Sequence, residues 1–394
     1  MNASDFDPTA PLPAPPEPWA ASDQPSRRAG PPYHMTDMIA AEPHLARRIL
    51  DRLTGPGSSA SDLARAVRDT LGRGRPVVLT GCGTSEHGAL GSVEILRAAV
   101  PDERHLVTSA QAFELALAPP SDGLVIGISH EGGTAATNRA LDMAKAAGAR
   151  TALITAGTGS PGASIAEIVV PTGEMDQSWC HTVGYVSPLL ASAATTGHLV
   201  GRPLDAERIE SLMAESTRDE AGAEAIAAQL EDVDRLIVVA SGADRVAGRE
   251  LVLKVEEACW LPSAYRDLET FLHGHLPATD ERTGLVLLLT ERDDREARAE
   301  RARQALAASR ALGHRAAAIL AAGADGLVPA DLTPAGRIVV PDAPDVPAPV
   351  ASLLTSAMAL QLVTERLARA RGTNPDPIRR DDPRYAAAAA AADG

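Results

Sequence analysis

Lysine is almost missing from this chain: it occurs only at positions 145 and 254, so 35 of the 37 basic side chains are arginines. The skew is first of all a coding bias of a GC-rich source, and it makes each surviving lysine worth a question. Cysteine is scarce too. Cys82, Cys180 and Cys259 are widely spaced and odd in number, which excludes a disulfide framework and the paired spacing of a structural zinc site. A reducing, cytoplasmic compartment is expected, with neither metal nor cofactor. Long apolar runs are lacking: the nearest, Leu285 to Leu289, falls far short of the roughly 18 residues that suggest a membrane span. The first thirty residues hold seven prolines with Asp5 and Asp7 and no basic segment leading an apolar one. A signal peptide is therefore not expected, and residues 1–33 read as a disordered leader. Positive charge is in deficit as well, 37 basic against 52 acidic residues for a formal −15. That balance repels nucleic acid and anionic membranes.

What is present is ordinary globular composition, 45% hydrophobic and 23% charged over 394 residues, enough for two cores. An internal repeat decides the fold class. Val77 to Gly83 is a β-branched run ending in glycine before a helical stretch through Leu96, and Leu236 to Gly242 repeats it before Glu250 to Glu257. Gly123 to Ser129 likewise answers Gly284 to Thr290. A third pair of apolar strands follows Gly148 and Gly313. Continuous apolar strands alternating with helices mean parallel sheets covered on both faces. The fold class is thus α/β, with two doubly wound, flavodoxin-like lobes in tandem. Residues 34–204 form the first lobe with its leading helices, Pro43 opening one of them. Residues 205–230 form a helical link, 231–372 the second lobe, and 373–394 a tail whose alanine-rich end is expected to be mobile.

In open parallel sheets, ligands bind beyond the carboxyl ends of the strands, where loops lead into helix N-termini. Both such loops of the first lobe suit an anion. Gly81-Cys82-Gly83-Thr84-Ser85 and Ser129-His130-Glu131-Gly132-Gly133-Thr134 combine glycines for close backbone approach with hydroxyls that can donate. Read alone, those hydroxyls could be no more than helix caps. The equivalent loops of the second lobe, Gly242 to Arg245 and Thr290 to Asp294, are acidic and poor in glycine. If an anion is held, the first lobe holds it.

Those two loops, with Ala149 to Thr155, resemble the first sugar isomerase (SIS) domain of the glucosamine-6-phosphate synthase family, and the resemblance covers roughly residues 34 to 380. It implies that Ser85, Ser129 and Thr134 bind a sugar phosphate, with Gly83, Thr84 and His130 beside them. One position departs from the family, which has serine where this chain has Glu131. A carboxylate there would repel phosphate, so either Glu131 points away or the ligand bears a cationic or hydroxyl group. The segment Glu174 to Tyr185 replaces a family loop of small hydroxyl residues that contacts the sugar, which makes His181 and Thr182 binding candidates. Trp179 could stack on a sugar face, although a tryptophan is more often core. The tail from Gly372 to Tyr385 resembles the family's closing segment, with Arg379 and Arg380 as candidates and the family's substrate-contacting lysine missing.

Lys254 and Glu257 lie three apart on an expected helix and share a face. By themselves they read as a surface ion pair. The resemblance implies that Glu257 moves a proton between C1 and C2 of an open-chain sugar, with Lys254 beside it. It also implies that His273, sixteen residues on, opens the sugar ring in the site of a neighbouring subunit, and hence a homodimer with shared sites. The functions to weigh are an isomerase or deglycase acting at C1/C2 of a sugar or aminosugar, an aminating transferase fed by free ammonia or a separate glutaminase, and a sugar-binding regulator without catalysis. No cysteine precedes Cys82, so glutamine hydrolysis within this polypeptide is not expected.

Overall fold

The computed structural model describes residues 6–392. Two five-stranded sheets share one plan. The first contains β1 (Val77–Thr80), β2 (Val107–Ser109), β3 (Leu124–Ile128), β4 (Arg150–Thr155) and β5 (Ile168–Pro171), in the order β2-β1-β3-β4-β5. The second contains β6 (Arg235–Ala240), β7 (Ser263–Asp267), β8 (Thr283–Leu289), β9 (Arg315–Ala321) and β10 (Arg337–Val340), in the order β10-β9-β8-β6-β7. Among the described residues all eight strand pairings are parallel. Central strands β3 and β8 are buried along their whole length, as a parallel sheet covered on both faces requires. In each sheet the order reverses between the first and third strands. The first lobe's two candidate loops therefore flank one topological switch point.

Before β1 come α1 (His34–Leu53) and α2 (Ser59–Gly72), and after it α3 (Thr84–Ala99). Within the rest of the first lobe lie α4 (Ala112–Leu117), α5 (Ala135–Ala147), α6 (Pro161–Ile165) and α7 (Val183–Val200). The link is two helices, α8 (Ala206–Ser216) and α9 (Glu220–Leu230), each capped by an aspartate, Asp205 and Asp219. The second lobe adds α10 (Asp244–Cys259), α11 (Leu268–Leu272), α12 (Arg295–Ala311), α13 (Ala322–Asp325) and α14 (Ala348–Ala370), and the tail ends in α15 (Pro383–Ala392). Among the described residues no helix is long and apolar enough to cross a membrane.

Small residues set how the lobes meet. A Cβ on Gly91 would lie 2.5 Å from Leu189 Cδ2 of α7, with Leu353 of α14 and Val246 of α10 just beyond. Any larger residue there would force α3 outward. Val93, Val246 and Leu353 accordingly belong to one core running through both lobes, and this pins α10 of the second lobe beside α3 of the first.

Two expectations fail. Pro43 does not open a helix but sits inside α1, which begins at His34. The amides of His34 and Met35 donate to Asp376, and that anchor starts the helix nine residues early. The leader also differs, because residues 6–33 run along the first lobe instead of leaving it. Leu12 is buried and its amide donates to Glu174, which in turn holds Arg48 through both oxygens. The amide of Met175 donates to the carbonyl of Pro13. Fixed proline backbone and a few specific bonds order a segment whose composition alone reads as disordered.

Candidate functional site

The loop from Gly81 to Ser85 coils tightly: a Cβ on Gly81 would lie 2.5 Å from the carbonyl oxygen of Ser85, and Gly83 takes a positive φ of 57°. Only glycine fits either demand. In the neighbouring loop the hydroxyls of Ser129 and Thr134 stand 3.1 Å apart, and Thr134 caps α5 without a hydrogen bond from its side chain. The two loops open into a cavity of about 760 Å³ lined by Gly83, Thr84, Ser85, His130, Glu131 and Thr134, a volume typical of small-molecule sites. Ser129 lies buried beneath this mouth.

Across the mouth stands Glu257. It lines the same cavity, its side chain is 22% exposed, and one carboxylate oxygen accepts from Lys254 Nζ at 2.6 Å. Lys254 is completely buried, and its second acidic neighbour, Glu250, lies 3.6 Å away. Burial on its own would lower the ammonium's pKa, but the charges of Glu257 and Glu250 outweigh it and the proton is held more tightly than usual. Glu250 accepts from His87 Nδ1 at 2.6 Å. Burial opposes ionisation of Glu250, yet Lys254 and His87 keep its carboxyl below the usual range. An acidic, basic and acidic side chain at positions 250, 254 and 257 share one face of α10, and α3 supplies His87. This is a buried row of alternating charge that ends on a carboxylate in the cavity, not a surface pair.

Glu131 lines the cavity with its carboxylate bonded to the leader. Its two carboxylate oxygens accept from the amide of Ser22, at 3.1 Å, and from the Ser22 hydroxyl. Its carbonyl accepts from Trp19 Nε1 at 2.9 Å. A Cβ on Gly133 would lie 2.6 Å from the Trp19 ring, and one on Gly157 would lie 2.8 Å from Pro15. Bare backbone at both positions seats the leader as a strap over the mouth, and Trp19 and Ser22 become walls of the cavity. Sequence reasoning missed these two residues, since nothing local couples position 19 to position 131. It also passed over Glu250, whose i,i+4 spacing from Lys254 was a usable signal.

The other candidates divide. His130 and His181 both line the cavity, with ring centroids 5.4 Å apart. His130 Nε2 accepts from the amide of Asp176 at 2.9 Å. Burial, and after it the neighbouring His181, push the His130 imidazole down to about 4. Thr182 does not face the cavity: its side chain is fully buried at the start of α7, and its amide donates to Asp176. Arg380 lines the mouth with its guanidinium 5.0 Å over the ring of Trp179, another wall residue. Arg379 turns away and is held between the rings of Trp260 and Tyr385, because its positive φ of 63° reverses the chain there. His273 is 69% exposed on the second lobe, bonded to Glu269, and does not line its own chain's cavity.

The second lobe's equivalent mouth is filled from within. Asp244, fully buried, accepts from the amides of Thr290 and Glu291 and from the Thr290 hydroxyl. Burial pushes its carboxyl up to about 6 against those bonds. The donors an anion would need are already taken.

No family model matches the chain. Over 292 residues it is 26% identical to the glutamine–fructose-6-phosphate aminotransferase (isomerizing) of Halobacterium salinarum, a match covering 69% of this chain and 47% of that protein. The chain thus spans about half the length of this curated relative. Among solved structures, the C-terminal domain of glucosamine-fructose-6-phosphate aminotransferase from Francisella tularensis superposes with a TM-score of 0.73 at 19% identity, covering 89% of this chain and 99% of that one. A phosphosugar isomerase from Silicibacter pomeroyi, so described provisionally, gives 0.70 at 18% identity, over 87% and 100% of the two chains. The tagatose-6-phosphate ketose/aldose isomerase of Escherichia coli gives 0.69 at 17% identity, over 91% and 98%. The expected tandem sugar isomerase architecture is the fold this chain has.

Proposed function

We propose that this protein is a sugar-metabolising enzyme that interconverts aldose and ketose forms of a sugar or aminosugar, phosphorylated in the simplest case, by moving a proton between C1 and C2. The observation that carries this reading is the placement of Glu257, from the second lobe, in the same cavity as the hydroxyl-lined mouth of the first. Removing a proton beside a carbonyl and returning it to the next carbon needs one carboxylate that reaches both. Lys254 binds one oxygen of Glu257. Among the described residues no donor reaches the other, so it can serve as the base. In this reading Ser85, Thr134 and the first turns of α3 and α5 hold the anionic end of the substrate, and Arg380 adds positive charge. With the Glu131 carboxylate engaged by Ser22, the loop's hydroxyls and amides are left to meet that end. His273, exposed on the outer face, would complete the site of a partner subunit in a homodimer.

The match to an aminotransferase favours one second reading, an aminating enzyme fed by ammonia from solution or from a separate glutaminase. Both readings use Glu257. The test is solvent deuterium uptake at the substrate carbons with fructose 6-phosphate, tagatose 6-phosphate and glucosamine 6-phosphate, with and without ammonium. The Glu257→Gln variant is expected to lose exchange while still binding the ligand. Exchange that continues at the wild-type rate would remove the mechanism, and aminosugar formed only with ammonium would favour the second reading.

A further inference from the structure

Moving a proton between two carbons is half of an aldose–ketose interconversion. As the C1–H electron pair becomes the C1=C2 bond of the enediol, the carbonyl oxygen on C2 must gain a proton. The hydroxyl on C1 must then lose one. Something has to carry a proton between the two oxygens, and most candidates at the cavity are unsuited. Lys254 is buried between two carboxylates that hold its proton. His130 already uses Nε2 as an acceptor for the amide of Asp176.

His181 is differently placed. Its Nδ1 is buried and faces Asp176 Oδ2 at 3.6 Å, and Nδ1 has no hydrogen-bond partner among the described residues. The ring is about a quarter exposed and lines the cavity, so the Nε2 edge is the part open to a ligand. Asp176 is itself fixed, its carboxylate accepting from the amides of Ser178, Thr182 and Gly184. Gly184 leaves room for both imidazoles: a Cβ there would lie 3.3 Å from His181 Cγ and 3.4 Å from His130 Cγ. A carboxylate behind Nδ1 and a cavity before Nε2 make an oriented acid and base. The 3.6 Å gap is longer than a hydrogen bond, and such contacts tighten when substrate is bound.

We propose that His181 carries the proton between O1 and O2 while Glu257 carries the one between C1 and C2. The imidazolium Nε2–H protonates the C2 carbonyl oxygen as Glu257 takes the C1 proton, giving the enediol, neutral His181 and protonated Glu257. The O1 hydroxyl then returns its proton to His181 as the C1 carbonyl forms and Glu257 protonates C2. Both groups end as they began. The charged and titratable groups facing His181 are Asp176 from its own loop, His130 from the loop after β3, and Lys254 and Glu257 from α10. Burial opposes protonation of His181, and Asp176 outweighs it, leaving the imidazole raised.

The inference rests on the isomerase reading, and the same sugar phosphates test both. His181→Gln is expected to lower kcat about 10²- to 10⁴-fold with KM little changed, and to abolish the limb on which activity falls as pH rises. Asp176→Asn should move that limb to lower pH in an enzyme that still turns over, and added imidazole should restore part of the activity of His181→Gly. A merely structural role would move neither the limb nor the imidazole response. If Asp176→Asn does not fold, ring-nitrogen NMR of the unaltered protein replaces it, and His181 should then titrate above His130. Exchange abolished by Glu257→Gln but isomerisation unchanged in His181→Gln would sink the role of His181 alone, as would His181 titrating below His130. No exchange or isomerisation by the wild type on any of the three sugars would remove the isomerase reading, and this inference with it.

Discussion

The strap over the mouth can be loosened at one residue. Glu131→Ala removes two hydrogen bonds from Ser22, both to a charged acceptor, and leaves the Trp19 bond to the backbone in place. Bonds to charged groups contribute about 1.5–3 kcal/mol when buried. This pair lies at an exposed position, so the expected cost to the closed strap is about 1–2 kcal/mol in all, a five- to thirtyfold rise in its opening constant. Exchange of the Trp19 indole N–H, whose bond to the Glu131 carbonyl the variant keeps, reads that constant, since opening is local. Acrylamide quenching of Trp19, with Trp179 and Trp260 replaced by phenylalanine, gives a second reading. Gly133→Ala approaches the same contact from the opposite side, because its Cβ would lie 2.6 Å from the Trp19 ring and must displace it while leaving Glu131 intact. Both variants should lower the unfolding midpoint by only about 1–3 °C, because a loss of this size is small beside the unfolding entropy of so long a chain. Unchanged protection of the Trp19 indole N–H in Glu131→Ala would show that the carboxylate does not hold the strap, and the reason offered for a glutamate at this position would fall.

Two further outcomes concern the buried charges. Lys254→Met leaves Glu250 and Glu257 without their shared cation and should destabilise the fold by about 3–5 kcal/mol; denaturant midpoints measure it, and a variant as stable as wild type would contradict the buried row. His130 gives a pH dependence: an unfolded imidazole takes its proton near 6.5, the folded one only near 4. Its contribution is therefore complete above pH 6.5 and lost as pH falls to 4, about 3 kcal/mol in all. His130→Asn should flatten that part of the stability profile, and an unaltered slope would refute it.

The central strands were legible because each is an unbroken apolar run, buried on both faces, and the loops that follow them were legible from their glycines. The edge strands were not. β2 has three residues, and β7 reads Ser-Ala-Tyr-Arg-Asp with every position only half-buried, so neither carries an apolar signature. At the site, the family resemblance brought forward Glu257, Lys254 and Ser85, and local periodicity put the first two on one face of α10. It could not say which way Glu131 and Arg379 turn. Those directions are set by Ser22, more than a hundred residues away, and by a left-handed backbone that no composition announces. Thr182 was misread because a hydroxyl before a helix looks the same from sequence whether it meets a ligand or the core.

Asp244 gives the internal repeat an asymmetry with a countable result. Two sheets of identical topology offer two places where a phosphate could be seated, but the later one carries a carboxylate of its own as a permanent occupant. Stoichiometry should accordingly be a single sugar per polypeptide. In the proposed reading the C-terminal half, freed from gripping a ligand, can present α10 sideways to its twin, one half serving as holder and the other as reagent.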